Sequence, residues 1–388
     1  MSHQLPYVLH VASWYPTVDR PFTGDFIQRH IEAVSPEFSG CVLHVHRLEK
    51  DSPAKWLVEH HAHYRLYLRY FSCRFRWFVP LLYTFFYFQG CIKICKQHGR
   101  PAILHVHVLN RLALVVGWLQ RWLKVPLIIS EHWTGYHDNR FEKLPTLQQM
   151  AMKKLALRAR RILPVTVHLQ RAMEEKGLIG KYAVVPNVVN TSLFQFNSLR
   201  KNFMKFKWVH VSNLRDSHKN VSGILRVFAR FLRHYPGHEL HIVHSDKNSS
   251  LEKYAEALQL PNQLVKFHGA MEHQQLAPFM ASCQALLLFS HFENFPCVIA
   301  EAWAAGLPVV SSNVGGIREH LDKNKGELCE AGNEHSLYQS METLFQRYSQ
   351  FSHDSIRSYA VNHFSKEAVG ARLAELYKST PDNSPKNA

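Results

Sequence analysis

The sequence predicts an α/β protein built from two doubly wound, parallel-sheet domains. Short apolar runs rich in β-branched residues alternate with amphipathic stretches of helical period, the pattern of strands joined by crossover helices. The alternation breaks at Pro186-Asn187 and restarts at Trp208, so one architecture is used twice. The 388 residues exceed one ordinary hydrophobic core and suit two of similar size.

In the first half, Tyr7 to Ala12 is a short apolar strand. The loop SWYPTVDRPFTGDF, punctuated by Pro and Gly, leads from it into an amphipathic helix, Ile27 to Val34. Cys41 to His46 alternates as a second strand and Ile103 to Val108 as a third. Between them, the run HYRLYLRYFSCRFRWFVPLLYTFFYFQGCIKICKQHGR reads as a hairpin or strand and then a buried helix from about Phe78 to Lys96. Helices at Asn110 to Leu123 and Thr146 to Arg160 flank a fourth strand, Leu127 to Ser130, which ends at Glu131-His132. Ile162 to Val167 and Ala183 to Val185 are further strands.

The second half gives strands at Trp208 to Val211, Leu240 to Val243, Leu264 to His268 and Ala285 to Phe289. Helices at Val221 to His234, Ser250 to Leu258 and Gln274 to Ala281 lie between them. Lys366 to Tyr377 is a terminal helix, and the polar tail STPDNSPKNA reads as disordered. In sheets of this kind, ligands bind at the carboxyl ends of the strands.

Composition narrows the function. No run of about 18 uninterrupted apolar residues occurs, and MSHQLPYVLHVASWYP passes straight into a strand without a cleavable-signal pattern, which predicts a cytoplasmic protein. Seven cysteines without a repeated CxxC spacing fit reduced thiols; Cys91 and Cys95, one helical turn apart, read as packing thiols rather than a metal site. The net charge of +16 is unevenly spread. Residues 1–186 hold 25 Lys and Arg against 12 Asp and Glu, a net +13, and residues 187–388 hold 21 against 18, a net +3. The first half therefore meets an anionic partner: a membrane surface, a lipid-linked phosphosugar or a nucleic acid. No zinc spacing, aromatic RNA-binding signature or helix-turn-helix supports the nucleic-acid reading, which is set aside. Within residues 63–100 there is no acidic residue, and Arg65, Arg69, Arg74 and Arg76 interleave with aromatics. Solvent-facing arginines there make a positive edge suited to an anionic bilayer.

The chemistry concentrates in HFENFPCVIAEAWAAGLPVVSSNVGGIREHL, residues 291–321. Glu293 and Asn294 sit in a loop before Phe295-Pro296, and Cys297 to Ala305 is an apolar helix that carries Glu301 among Val298, Ile299, Ala302 and Trp303. A carboxylate there is costly to bury unless something polar pairs with it. Gly306-Leu307-Pro308 stops the helix, Val309 to Ser312 is a strand, and Gly315-Gly316 is a turn that a ligand or backbone can approach closely. A buried-helix carboxylate at the ligand end of a βαβ unit suggests a polyol partner such as a ribose. Lys219 and Arg215 follow the strand at Trp208 to Val211, where cations and a helix N-terminus together suit phosphate. His105 and His107 alternate along one strand and so share a face; with no third ligand at fixed spacing, they read as packing and loop anchors.

In this order and spacing the segments resemble the retaining glycosyltransferases of family 4, glycosyltransferase group 1. The resemblance covers nearly the whole chain: SWYPTVDRPFTGDFIQRH, PAILHVHVLN, PLIISEHWTGY, RRILPVTVHLQRAM, VVPNVVNTSLF, VSNLRDSHKN and VKFHGAMEHQQLAPFMASCQALLLFSHFENFP each resemble a family segment. It implies the GT-B fold, two Rossmann-like doubly wound domains facing each other across a cleft. It also implies an acceptor-binding domain at 1–186, a linker at 187–200, a nucleotide-sugar domain at 201–365, a helix at 366–378 packing back on the first domain, and a tail at 379–388.

By resemblance, the transfer chemistry falls to Glu293, Lys219, Arg215 and His132, with Glu293 on hydroxyls of the donor sugar. Donor binding falls to Gly24, Asn294, Phe295, Pro296, Cys297, Val298 and Glu301, with Glu301 accepting both ribose hydroxyls and Gly24 letting amides approach the diphosphate. Two departures stand out: Asn213 occupies the place of a common family arginine, and HSDKNSS follows the strand at Leu240 to Val243 where glycines are usual. No Asp-x-Asp pair ends a strand, so transfer without metal or cofactor is expected. The partners implied are a nucleotide-diphosphate sugar and a saccharide or lipid-linked acceptor, with peripheral contact at the inner face of the cell membrane; a binding protein without turnover and a small soluble acceptor are the alternatives.

Overall fold

A parallel sheet buries both its faces, so its strands read as near-continuous apolar runs and its helices must cover each side. The computed structural model describes residues 7–34, 37–48, 55–75, 77–196, 205–245 and 249–379. The chain forms two such units, Met1–Val188 with Lys366–Ala388, and Val189–Ser365.

The first unit runs β1 (Tyr7–Ala12), α1 (Asp25–Val34), β2 (Ser39–Arg47), β3 (Lys55–His60), β4 (Tyr64–Phe71), α2 (Val79–His98), β5 (Ile103–His107), α3 (Ala113–Leu123), β6 (Leu127–Glu131), α4 (Thr146–Arg158), β7 (Arg161–Pro164) and α5 (Val167–Glu175). Its seven strands lie in the order β3-β4-β2-β1-β5-β6-β7, and all pairs are parallel except β3 with β4. Alternation sorts the side chains: Leu9, Val11, Leu104, Val106 and Ile129 face a core shared with α2, α3 and α4, while Val8, Ile103, Ile128 and Leu163 face the other side.

Three expectations are corrected here. The helix after the arginine-rich run is not buried all round: Phe86, Tyr87, Cys91 and Ile94 point inward, but Leu81 and Phe85 are exposed. Gly90 explains its position, because a Cβ there would meet Leu43 Cδ1 at 2.5 Å, so only glycine lets α2 sit this low on the sheet. Arg69 does not join a solvent edge; its guanidinium stacks on Trp56 at 5.5 Å and Phe86 at 4.5 Å, while Arg65 and Arg74 are exposed and Arg76 lies outside the described residues. Ala183 to Val185 is not a strand. The amides of Ala183 and Val185 bond the carbonyls of Ile162 and Pro164, but the pairing with β7 goes no further than an isolated bridge, Ile162 to Tyr182.

The second unit runs β8 (Lys207–Ser212), α6 (Asp216–Lys219), α7 (Val221–His234), β9 (Glu239–His244), α8 (Ser249–Ala257), β10 (Val265–His268), α9 (His273–Ala281), β11 (Ala285–Leu288), α10 (Cys297–Ala304), β12 (Val309–Ser312), β13 (Gly326–Cys329), α11 (Glu334–Gln346) and α12 (His353–Phe364). Its sheet is wholly parallel, in the order β10-β9-β8-β11-β12-β13. Helix α7 shows why its sequence folds there: Val221, Ile224, Leu225, Val227, Phe228 and Phe231 are buried at helical spacing, each contributing about 1.5–3 kcal/mol relative to exposure.

The chain then returns to the first unit as α13 (Lys366–Lys378), which packs on α1. Gly370 makes this contact possible, since a Cβ would sit 2.1 Å from the carbonyl of Ala33. Val369, Leu373 and Tyr377 are buried, and Lys366 pairs with Glu32 at 2.9 Å. The tail from residue 380 onward, and residues 197–200 of the expected linker, lie outside the described residues. No helix among the described residues is long and apolar enough to cross a membrane.

Histidine is used as a core residue throughout the first unit. Burial lowers His10 to about 3 and His44 to about 4, and holds His30, His105, His107 and His132 below the ordinary imidazole value, so all six are neutral near pH 7. The unfolded chain binds protons at these sites near 6.5 and the folded chain does not, so their stabilising effect is full above that pH and is lost as pH falls. Glu131, pushed up to about 7 by burial, acts in the opposite sense but is one group against six. The melting temperature is therefore expected to fall steadily from pH 6.5 toward pH 4. A flat profile across that window contradicts neutral buried histidines.

Candidate active site

In a doubly wound sheet the crevice opens where the strand order reverses, between neighbours whose connections leave in opposite directions. In the second unit that point lies between β8 and β11. The loops after β8, β11 and β12 carry most of the residues singled out in the sequence, and the structure binds these loops to one another.

After β8 the chain turns through Leu214 and Asn220, both in left-handed conformations with φ of 51° and 48°. The Leu214 side chain is buried and its amide donates to Ser212 Oγ at 3.1 Å, which holds the loop in a shape that non-glycine residues rarely adopt. Asn213 Oδ1 accepts from the Arg215 amide at 3.2 Å, so Asn213 shapes the loop, and Arg215 is left exposed. Lys219, at the end of α6, reaches across to Glu293 in the loop after β11 and forms an ion pair with its Oε1. Ser290 Oγ donates to the same oxygen at 2.9 Å. The backbone joins the loops as well: the His291 amide donates to the His218 carbonyl at 2.8 Å, and the rings of His218 and Phe292 meet at 3.7 Å.

The third loop closes from β12. Gly316 donates its amide to the Asn294 carbonyl at 2.7 Å, and Ser312 Oγ donates to the Ser290 carbonyl at 2.6 Å. Gly315 has φ +58°, and a Cβ on it would lie 1.9 Å from the Glu293 carbonyl oxygen. The close approach expected at this turn is thus one of backbone to backbone.

Pro296 precedes α10 as its N-cap, and Cys297 and Val298 form the first turn, half-buried, at the helix end whose dipole favours an anion. Glu301 lies one turn further on and is almost wholly buried; His273 Nε2 stands 3.5 Å from its Oε1 and is the polar neighbour that burial demands. The Phe295 side chain belongs to the core, stacked on Phe364 at 5.3 Å, which leaves only its backbone for a ligand. Ser290 and His273 had no signal in the sequence, since a serine three residues before Glu293 and a histidine on a separate helix follow no spacing rule.

In the first unit, strand order reverses between β1 and β5. Gly24 follows β1 with φ +78°, and a Cβ there would meet the Trp14 carbonyl carbon at 2.6 Å; its carbonyl accepts from Ile27 at the start of α1. After β5, Val108 has φ 62°, a strained value for a β-branched residue, with its amide donating to Ser130 and its carbonyl accepting from Ser13 Oγ. Buried Glu131 accepts from the amide of Leu109 at 2.8 Å and from the Tyr136 hydroxyl at 3.0 Å, anchoring the next turn. His132 packs between Phe26 at 4.4 Å and His30 at 5.4 Å.

The sheet also supplies what spacing along the chain could not, a third histidine beside His105 and His107. His10 on β1 is in register with His105, and ring nitrogens of the three lie within 4.8 Å of one another. His10 Nδ1 is 3.1 Å from His107 Nε2, and His105 binds the Tyr377 hydroxyl through Nδ1 at 2.6 Å and Ser130 Oγ through Nε2 at 2.8 Å. A metal ion there would have to displace bonds that tie β1, β5, β6 and α13 together.

Comparison with known proteins gives the following. Residues 192–360 match the family Glycosyl transferases group 1, and residues 41–193 match Glycosyltransferase Family 4. The chain is 25% identical over 289 residues to a glycogen synthase of Mycobacterium tuberculosis, covering 72% of this chain and 69% of that protein. Among solved structures, it is similar to a sucrose-phosphate synthase from Thermosynechococcus elongatus, with TM-score 0.78, 15% identity and coverage of 96% of this chain and 98% of that one. It is also similar to Anabaena HepE in complex with UDP, with TM-score 0.71, 18% identity and coverage of 96% and 100%. The fold is GT-B.

Replacing Gly315 by Ala adds both left-handed strain and an overlap with Glu293, and is expected to lower unfolding stability by about 1–3 kcal/mol. Gly269→Ala, where a Cβ meets nothing within 4 Å, is expected to stay within about 0.5 kcal/mol of the parent. Equal losses in thermal or urea unfolding contradict the loop packing described.

Proposed function

The chain belongs to the group 1 glycosyl transferases, and from that membership we propose that it is a retaining, metal-independent enzyme moving a sugar from a nucleotide-diphosphate sugar to a hydroxyl acceptor. The observation that carries this reading is the junction of three loops at the strand-order reversal of the second unit, where Lys219 and Glu293 meet.

As the glycosidic bond breaks, the diphosphate gains negative charge, and fixed cations and amides stabilise it because they need no reorganisation. Lys219 is held in place by Glu293 and is drawn to the diphosphate when it arrives, which frees Glu293 to accept bonds from sugar hydroxyls. Arg215 is exposed while Asn213 is committed to its loop, so Arg215 is the better second cation. The amides of Asn294, Phe295, Cys297 and Val298 line the same place, and Glu301 on α10 receives the ribose hydroxyls. In the first unit, Gly24 and His132 keep the roles given by the family resemblance. The acceptor hydroxyl attacks on the face the diphosphate leaves, and the departing phosphate takes its proton, so no protein nucleophile is required. These cations do the electrostatic task for which other transferases use a divalent ion. HepE binds UDP, which makes a uridine donor the first to test. The acceptor proposed is a growing cell-surface polysaccharide or a lipid-linked oligosaccharide, met on the cytoplasmic side of a membrane by the basic first unit.

Nucleotide release from a panel of UDP-, GDP-, ADP- and dTDP-sugars in EDTA is expected for one donor and is expected to disappear in Lys219→Ala. Release that requires added metal overturns the metal-independent mechanism, and donor binding without release or transfer to any acceptor indicates a binding protein.

Glu301→Ala is expected to weaken the nucleotide-sugar and the bare nucleotide alike, by about 1.5–3 kcal/mol. Glu293→Ala is expected to weaken only the sugar-bearing ligand. Calorimetry showing the same losses for both ligands in both variants contradicts this division of roles.

A further inference from the structure

Among the described residues, every exposed large apolar side chain lies in the first unit. Most fall on α2, α3 and α4, which share one core on the same face of the sheet and pack in sequence, with Phe88 of α2 and Trp122 of α3 at 6.0 Å. The exposed positions recur at helical spacing: Leu81, Phe85 and Ile92 on α2; Leu114, Trp118 and Trp122 on α3; Leu147, Met150 and Leu157 on α4. Each set therefore forms one outward stripe. Trp118 is 64% exposed and Trp77, just before α2, is 76% exposed. These three helices carry Lys93, Lys96, Arg121, Lys153, Lys154 and Arg158 and contain no Asp or Glu. A contiguous apolar face with only one sign of charge is the composition of an interfacial surface, not of an ordinary solvated one.

Where α3 and α4 end, the surface opens into a cleft of about 880 Å³. Arg121, Lys124, Arg158, Arg160 and Lys181 line it, with no carboxylate among its lining residues. It lies at the amino ends of β6 and β7, the far end of the sheet from His132. Two helix C-termini bring roughly half a negative charge each. Five cations exceed that, and Arg100 also covers the Lys124 carbonyl at 2.7 Å. Leu157 and Ile179, both exposed, stand beside the charges.

We propose that the α2–α3–α4 face lies on an anionic bilayer and that this cleft holds the phosphate of one phospholipid headgroup. The inference rests on the reading of the chain as a transferase that works at a membrane, and it names the surface and lipid class involved. Tryptophan stripes sit at headgroup depth, the cations supply attraction and selectivity, and Leu157 and Ile179 reach the glycerol and upper acyl region.

Flotation of the full chain with vesicles of phosphatidylcholine alone, or with 30% phosphatidylglycerol, tests this. At low salt, binding is expected to the anionic vesicles and not to the neutral ones. Removing one cleft cation is expected to lower partition about fivefold, and Arg121→Ala/Arg158→Ala/Lys181→Ala together by more than tenfold. Trp118→Ser/Trp122→Ser is expected to lower it as well. Arg233→Ala/Lys253→Ala/Lys323→Ala, which removes the same charge from the second unit, is expected to leave it unchanged. Equal loss in that control overturns the cleft assignment, as does full binding by the cleft variant. Absence of vesicle binding overturns the whole inference, whether the chain instead binds soluble dextran sulfate or self-associates. Nucleotide release and transfer measured in parallel separate the two readings: release without vesicle binding sinks this inference alone, and vesicle binding with neither release nor transfer to any acceptor sinks the transferase reading alone.

Discussion

The ion pair between Lys219 and Glu293 is the contact on which the candidate site depends. Two half-buried charges of opposite sign in different loops each carry a desolvation cost that only the other, and a hydrogen bond from Ser290, offsets. Their pairing fixes the loop after β8 against the loop after β11, and the second loop is in turn pinned by backbone contact with Gly315 and Gly316. Electrostatics and glycine sterics thus work on the same few atoms. Neither alone would position a carboxylate and an ammonium to within hydrogen-bonding reach at the point where the sheet changes direction.

Much of the architecture was legible because parallel strands buried on both faces leave continuous apolar runs. Tyr7–Ala12, Val221–His234 and Val309–Ser312 can be bounded from the sequence, since their burial is set by local period and by flanking loop residues. β13, α11 and α12 were not legible: β13 is four residues with Glu327 in it, and the two helices expose so much polar surface that their apolar stripe is thin. In the candidate site, Glu293, Lys219 and the glycine turn announced themselves through loop chemistry. His273 and His10 did not, because each reaches its partner through helix packing or sheet order that no spacing along the chain encodes, and neither did Ser290, whose place three residues before Glu293 follows no motif. Arg69 misled for a related reason, as a guanidinium on a strand looks solvent-bound until a helix lays aromatic rings beside it.

The two units meet the cost of polar groups in different ways. The first encloses neutral imidazoles and a Glu131 that burial raises to about 7, trading charge for hydrogen bonds to backbone and hydroxyl groups. The second also encloses neutral imidazoles, His210 and His241 among them, but adds carboxylates held in pairs: Glu239 lies between Lys205 and Lys266, and Glu327 faces Arg347. The contrast follows the overall composition, since a basic half has few carboxylates with which to pair its cations and exposes them instead, whereas the balanced half can match sign with sign.

The last helix belongs to the first unit, and this fixes an order in biosynthesis. Ribosomes deliver residues 189–365 before α13, so the second unit can close on itself while the first still lacks the helix that covers Val8, Ile103, Ile128 and Leu163. Until α13 arrives, that apolar face, the groove left at Ala33 for Gly370 and the His105 ring that bonds Tyr377 stand open. The core of the first unit is therefore the last to be completed, and only when the chain has been made as far as Tyr377 can its second face be covered.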